Sequence, residues 1–177
     1  MMNSRVSKTK KQSNKKTIQL PNNSTKKQMK NTTLILTFFL FSVNIFAQKT
    51  IIKTDNAPTP IAPYSQAVEA NGLIFVAGQI GLEPTTRQLV TGGFEAEVTQ
   101  SMNNVRAILV AAGLNMSDIV NTTIYLKDIN NFQKVNEIYG KYFTGNFPAR
   151  TTVGVANLPG GASIEISVIA TRPPRRK

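Results

Sequence analysis

The 177 residues include no His, no Cys and no Trp, which excludes Ser-His-Asp and Cys-His catalysis, the usual zinc ligands and any disulfide. The formal charge of +12 resembles that of a polyanion binder, but nine of the 21 Lys/Arg and none of the nine Asp/Glu fall in residues 1–47. Residues 48–177 are therefore close to neutral and carry no basic stripe interleaved with aromatics, so no nucleic-acid partner is expected.

Residues 1–28 are dominated by Lys, Asn, Ser, Thr and Gln, a composition that cannot bury a core and predicts disorder. They are either a long basic extension or sequence upstream of a true start at Met29. Met29-Lys30-Asn31 opens an apolar run that ends at Ala47, and residues 29–47 have the form of a secretory signal peptide. The run is shorter than the roughly 20 apolar residues of a membrane span. Cleavage after Ala47 fits, although Ile45 departs from the small-x-small rule. The expectation is an exported protein, periplasmic or secreted, with no stable membrane span after cleavage. Cytoplasmic retention is the alternative. Residues 48–177 then form one domain.

Within that domain the pattern predicts a strand over 50–53 and a proline-rich turn over 57–63. Strands over 66–70 and 73–77 follow, joined by the hairpin signal Asn71-Gly72. After a turn-rich stretch, 94–112 reads as a helix with Val98, Met102, Val105, Ile108, Leu109 and Ala112 on one stripe and Gly113 at its C-terminal end. A strand is expected over 119–126. Asp128 should cap a second helix over 129–144, with Phe132, Val135, Tyr139, Tyr142 and Phe143 inward. Strands over 151–155 and 163–170 close the domain, separated by Leu158-Pro159-Gly160-Gly161. The order β-β-β-α-β-α-β-β predicts an α+β fold, one sheet with two helices on one face.

Two charges interrupt the last strands: Arg150 and Glu165. A charge in such a run is costly unless paired or solvated. The two are either a structural ion pair, or solvent-facing edge residues, or parts of a cleft that holds a small carboxylate on the arginine and acts on it with the glutamate. Strand alternation places Ile164, Ile166 and Val168 under the helices with Val153 and Val155. Arg150, Thr152 and Glu165 would then share the uncovered face. The run Leu73-Ile74-Phe75-Val76-Ala77 is apolar on both faces, which predicts self-association.

Pro63-Tyr64-Ser65-Gln66, Ala77-Gly78-Gln79-Ile80, Ala111-Ala112-Gly113-Leu114, Phe147-Pro148-Ala149-Arg150 and Ile164-Glu165-Ile166 stand in an order and spacing that resembles the Rid family, also called the YjgF family. The resemblance spans about residues 51–172. It implies a chorismate-mutase-like fold and a homotrimer with three inter-subunit clefts. It also implies hydrolysis of reactive 2-imino acids and their enamine tautomers, such as 2-iminobutanoate and 2-iminopropanoate, to 2-oxo acids and ammonia, with no cofactor and no metal. Arg150 would clamp the substrate carboxylate and Glu165 would activate water. Tyr64, Gly78, Asn136 and Thr152 would line the cleft. Purely structural roles remain open for three of these: Tyr64 as a buried aromatic, Asn136 as a helix-surface amide and Gly78 as a bend. Ala77 and Thr152 stand where many deaminating members have Ser or Thr and where several have Cys. The competing reading is a non-catalytic trimer of the same fold that binds small carboxylates or protects other proteins.

Overall fold

The computed structural model describes residues 48–173. The basic extension over 1–28, the signal-like segment over 29–47 and the last four residues of the tail lie outside them. The elements in chain order are β1 (Thr50–Ile52), β2 (Ala67–Ala70), β3 (Leu73–Gln79), α1 (Phe94–Ala111), β4 (Ile119–Leu126), α2 (Phe132–Gly140), β5 (Ala149–Gly154) and β6 (Ile164–Thr171). They form one six-stranded sheet in the order β1-β2-β3-β6-β4-β5, antiparallel except for the parallel pair β4–β5. Both helices cover the same face, as the sequence predicts.

Turn chemistry fixes the first half of the sheet. Asn71 and Gly72 both take positive φ, 52° and 76°, which suits the right-handed twist of the hairpin joining β2 to β3. Helix α1 ends as its glycine predicts. Gly113 has φ +72°, its N–H reaches the Val110 carbonyl at 2.9 Å, and the Leu114 N–H reaches that of Leu109 at 2.9 Å. This Schellman closure satisfies carbonyls that the helix end leaves open.

The core forms where the α1 stripe meets the sheet. Val98, Met102, Val105, Ile108 and Leu109 are fully buried against Ile74, Ile124, Ile164 and Ile166. Val135 and Tyr139 of α2 extend the layer. Arg172 fastens the far edge: its Nε and Nη2 donate to the two Glu69 carboxylate oxygens at 2.8 and 2.7 Å, and Nη2 also reaches the Ala112 carbonyl at 3.0 Å.

Two expectations need correction. The second helix is shorter than 129–144. Asp128 does accept the Asn130 N–H at 3.0 Å, but Ile129–Asn131 is a 3-10 turn and the α-helix ends at Gly140. The next N–H groups, of Lys141, Tyr142 and Phe143, bond three residues back instead of four. Phe132, expected inside, is 37% exposed because it stands at the helix start. The second correction concerns β5. Its register on β4 pairs Arg150 with Thr122 and Thr152 with Ile124, and Thr122 and Ile124 are fully buried beneath the helices. Parallel neighbours point the same way, so Arg150 and Thr152 lie on the helix side. Val153, expected inside, is turned out and is 38% exposed. A one-residue change of phase reverses every side chain of a strand, and an edge strand with one paired neighbour takes its phase from that neighbour.

Between β3 and α1 the chain crosses over the core with few regular bonds, and a buried amide holds it. Asn104, on α1 and fully buried, donates to the carbonyls of Ile80 and Leu82 at 3.1 and 2.9 Å and accepts from Gln100 at 2.9 Å. Replacing Asn104 by Ala leaves two carbonyls unpaired, at a cost of about 2–4 kcal/mol. The urea midpoint should fall with an unchanged slope. A loss below about 0.5 kcal/mol, the range of neutral surface changes, refutes this role.

Candidate active site

The sequence-selected residues gather at two places on the chain. The first is under α2. Arg150 leaves β5 towards the helix, and its Nη2 donates to Oδ1 of Asn136 at 2.6 Å. The guanidinium carbon lies 4.8 Å from the Tyr139 ring centre and 5.7 Å from that of Phe132, within cation–π range. Among the described residues no carboxylate forms an ion pair with Arg150. This excludes the structural ion pair with Glu165. The remaining guanidinium N–H groups stay free for a planar anion. A cavity of about 410 Å³ opens here, lined by Asn136, Tyr139, Gly140, Phe147, Pro148 and Arg150.

Tyr139 belongs to this place as well as to the core. Its hydroxyl donates to Thr122 Oγ1 at 3.0 Å. Burial pushes its pKa above the usual tyrosine value, opposed by the Thr122 hydrogen bond and by the Arg150 charge. Asn136 and Tyr139 stand three apart on one helical face, a spacing that brings side chains together. That spacing was available in the sequence as a signal for Tyr139. Thr152 follows Arg150 on the same face of β5, and its Oγ1 is buried with no hydrogen-bond partner among the described residues. A buried hydroxyl without a partner carries a desolvation cost that a bound polar group would relieve.

The second place is on the opposite face, at the β3–β6 seam. The register between β3 and β6 shifts between Val76 and Gln79. The bulge brings the backbone of Gly78 beneath Glu165. A Cβ at position 78 would overlap the Glu165 carboxylate and lie 2.9 Å from its Cγ, so glycine leaves the carboxylate its place here, and its φ is not the reason. Glu165 has no hydrogen bond or ion pair among the described residues, and burial raises its pKa above the ordinary carboxylate value. Its cavity, about 400 Å³, is bounded by the 58–64 segment with Tyr64, by the Gly78 bulge and by Pro159.

Arg150, Asn136 and Thr152 thus stand together, and Glu165, Tyr64 and Gly78 stand together. The two sets lie on opposite faces of the sheet with β4 between their strands. The expectation that Arg150, Thr152 and Glu165 share the uncovered face is overturned by the β5 register. In a single chain a carboxylate held by Arg150 cannot be reached by Glu165. One half offers an unpaired cation and an orphan hydroxyl, the other a half-buried carboxylate whose pKa burial raises.

A family profile described as "Endoribonuclease L-PSP" matches residues 54–172. The human protein named 2-iminobutanoate/2-iminopropanoate deaminase is 48% identical over 124 residues, 70% of this chain and 90% of that protein. The crystal structure of a Rid-family protein from Yersinia pestis superposes with a TM-score of 0.68 at 47% identity, covering 70% of this chain and 99% of that one. The structure of E. coli TdcF with bound serine superposes with a TM-score of 0.67 at 38% identity, covering 70% and 99%.

The Gly78–Glu165 contact is measurable by itself. Gly78→Ala should cost about 1–3 kcal/mol of stability while Glu165 is present, because the carboxylate must leave its rotamer. In a Glu165→Ala background the same change should cost less, giving a coupling of about 0.5–3 kcal/mol in a double-mutant cycle. Additive effects would show that the two residues do not meet.

Proposed function

This chain belongs to the endoribonuclease L-PSP family, the group of the Rid proteins, and from that membership we propose that it hydrolyses 2-imino acids and their enamine tautomers to 2-oxo acids and ammonia, 2-iminobutanoate and 2-iminopropanoate among them. The observation that carries this reading is the division of the site. An unpaired guanidinium and an unpaired carboxylate, both half-buried and each beside its own cavity, lie on opposite faces of one chain. A second copy can bring its Glu165 face to the first copy's Arg150 edge. Such a heterologous contact makes a ring where its rotation closes, and three is the number the family implies.

The uncovered sheet face supports association. Ile51, Leu73 and Phe75 stand on its β1–β3 side, 50%, 37% and 42% exposed, and Val153 stands on its far edge. An apolar surface of this extent favours a partner. Residues 48–177 carry twelve basic and nine acidic side chains, a small excess that does not favour an endoribonuclease, whose RNA affinity phosphate contacts dominate.

In the proposed mechanism Arg150 holds the substrate carboxylate in its guanidinium fork, with Asn136 fixing the guanidinium from behind. The serine in the TdcF structure is an amino acid whose carboxylate and amino group resemble those of the substrate. Glu165 of the neighbouring copy takes a proton from water, and the water oxygen bonds to C2 of the iminium. The proton passes to the nitrogen of the resulting carbinolamine, Glu165 then takes the hydroxyl proton as the C–N bond breaks, and ammonia leaves a 2-oxo acid. Burial raises the proton affinity of Glu165, which makes its carboxylate a better acceptor for the proton of the attacking water. Residues 29–47 are proposed to direct export, with Gln48 as the first residue of the mature chain. N-terminal sequencing from the native host checks this, and a product retaining residues 34–46 refutes it.

Mixing two inactive variants tests the divided site. Arg150→Ala and Glu165→Gln should each remove imine hydrolysis from a folded protein, the first by losing carboxylate binding worth about 2–3 kcal/mol or more, the second by losing turnover. Subunits of the two variants, unfolded together and refolded in equal amounts, should regain activity at about a quarter of the sites, those that combine an intact arginine from one copy with an intact glutamate from the next. No recovery from mixed oligomers would place both groups in one chain and overturn the shared cleft. Near-full activity in either variant alone removes that residue from the mechanism.

A further inference from the structure

We infer that the Glu165 half-site selects 2-imino acids with long aliphatic or aromatic side chains over those with short or polar ones; this rests on the deaminase reading above. At about 400 Å³, the cavity is in the range that holds ligands much larger than a four-carbon acid. The walls that surround Glu165 are Ile61, Ala62, Ala77, Ile80, Leu82 and Pro159. None of these side chains offers a hydrogen bond.

The amide N–H groups in the same wall are already committed. Nε2 of Gln66 donates to the carbonyls of Thr54, Ala57 and Pro58 at 2.9, 3.1 and 3.0 Å, and its Oε1 accepts the Thr54 N–H at 2.7 Å. Gln79 Nε2 donates to the carbonyls of Ala77 and Gly78 at 3.0 and 3.2 Å. The hydroxyls of Thr59 and Tyr64 stand on the exposed 58–64 segment. At position 77, where a serine would add a hydroxyl beside Gly78, this chain has a methyl group. Beside Ile61, Ala62, Ala77, Ile80, Leu82 and Pro159 a hydroxyl or charge on the substrate side chain therefore meets no side-chain partner and would lose its water uncompensated.

The cavity is held open in advance. Asn104 fixes the carbonyls of Ile80 and Leu82, the Val90 N–H bonds to the Gly81 carbonyl at 2.9 Å, and Pro159 begins a 3-10 turn. A preformed apolar wall returns binding energy for each methylene it covers, about fourfold in affinity per group. Where that contact tightens as C2 becomes tetrahedral over Glu165, the gain appears in kcat/KM.

The test uses purified protein and imines generated in the assay by an amino-acid oxidase acting on alanine, leucine, phenylalanine, serine or glutamate, with release of 2-oxo acid followed against a nucleophilic trap. The leucine- and phenylalanine-derived imines should exceed the alanine-derived one in kcat/KM by about tenfold or more, and the serine- and glutamate-derived imines should fall below it. Ile61 is 75% exposed, so Ile61→Ser leaves the fold intact. It should shrink the leucine-to-alanine ratio by about fourfold or more, chiefly through KM. Ala77→Ser should raise the serine-derived imine relative to the leucine-derived one. An alanine-derived imine turned over as fast as the leucine-derived one, or a ratio unmoved by Ile61→Ser, overturns the inference. No acceleration with any imine overturns the hydrolase reading itself and this inference with it.

Discussion

Strand β6 lies between β3 and β4, and its alternation commits Ile164, Ile166, Val168 and Ala170 to the core while Glu165 points away from it. The same eight residues must satisfy both demands. The apolar set anchors the helices, and this fixes the face of the sheet on which the glutamate stands. The bulge in β3 then brings a backbone without a side chain beneath the carboxylate. Core packing, strand register and the placement of a titratable group are in this sense one constraint, and the raised proton affinity of Glu165 follows from it.

The arginine half depends on a weaker element. Strand β5 has a neighbour on one side only, and Arg150 is held by what α2 presents to it: one amide oxygen and the faces of two aromatic rings. These contacts orient the guanidinium without neutralising it. A carboxylate partner would have stabilised the fold more and left less of the fork for a ligand. This arrangement suits the proposed assembly, in which binding and proton transfer would come from different copies.

How far the sequence reaches is clear from particular residues. Asn71-Gly72, Gly113 and the α1 stripe specify local structure by their own chemistry, so the hairpin, the helix end and the core came out as expected. The two-helix, one-sheet layout followed from element order. The faces of β5 did not. Val153 and Val155 looked like core residues because they are apolar, but an edge strand takes its phase from its neighbour's register, and Thr122 is a buried hydroxyl that gives no hydrophobic signal. Asn104 was hidden for the same reason: a polar residue on a core-facing position is indistinguishable in sequence from a surface one. The candidate site residues were found through motif spacing, whereas their separation into two groups is a property of the sheet that no spacing expresses.

The close approach of position 78 to the Glu165 carboxylate also makes that position a handle on the acid. The atoms a side chain there would meet are the outer end of a flexible chain, so a substitution would swing the carboxylate aside before it disturbed the sheet. The place of the acid can thus be shifted by engineering position 78 while Glu165 itself, and the strand that carries it, stay untouched.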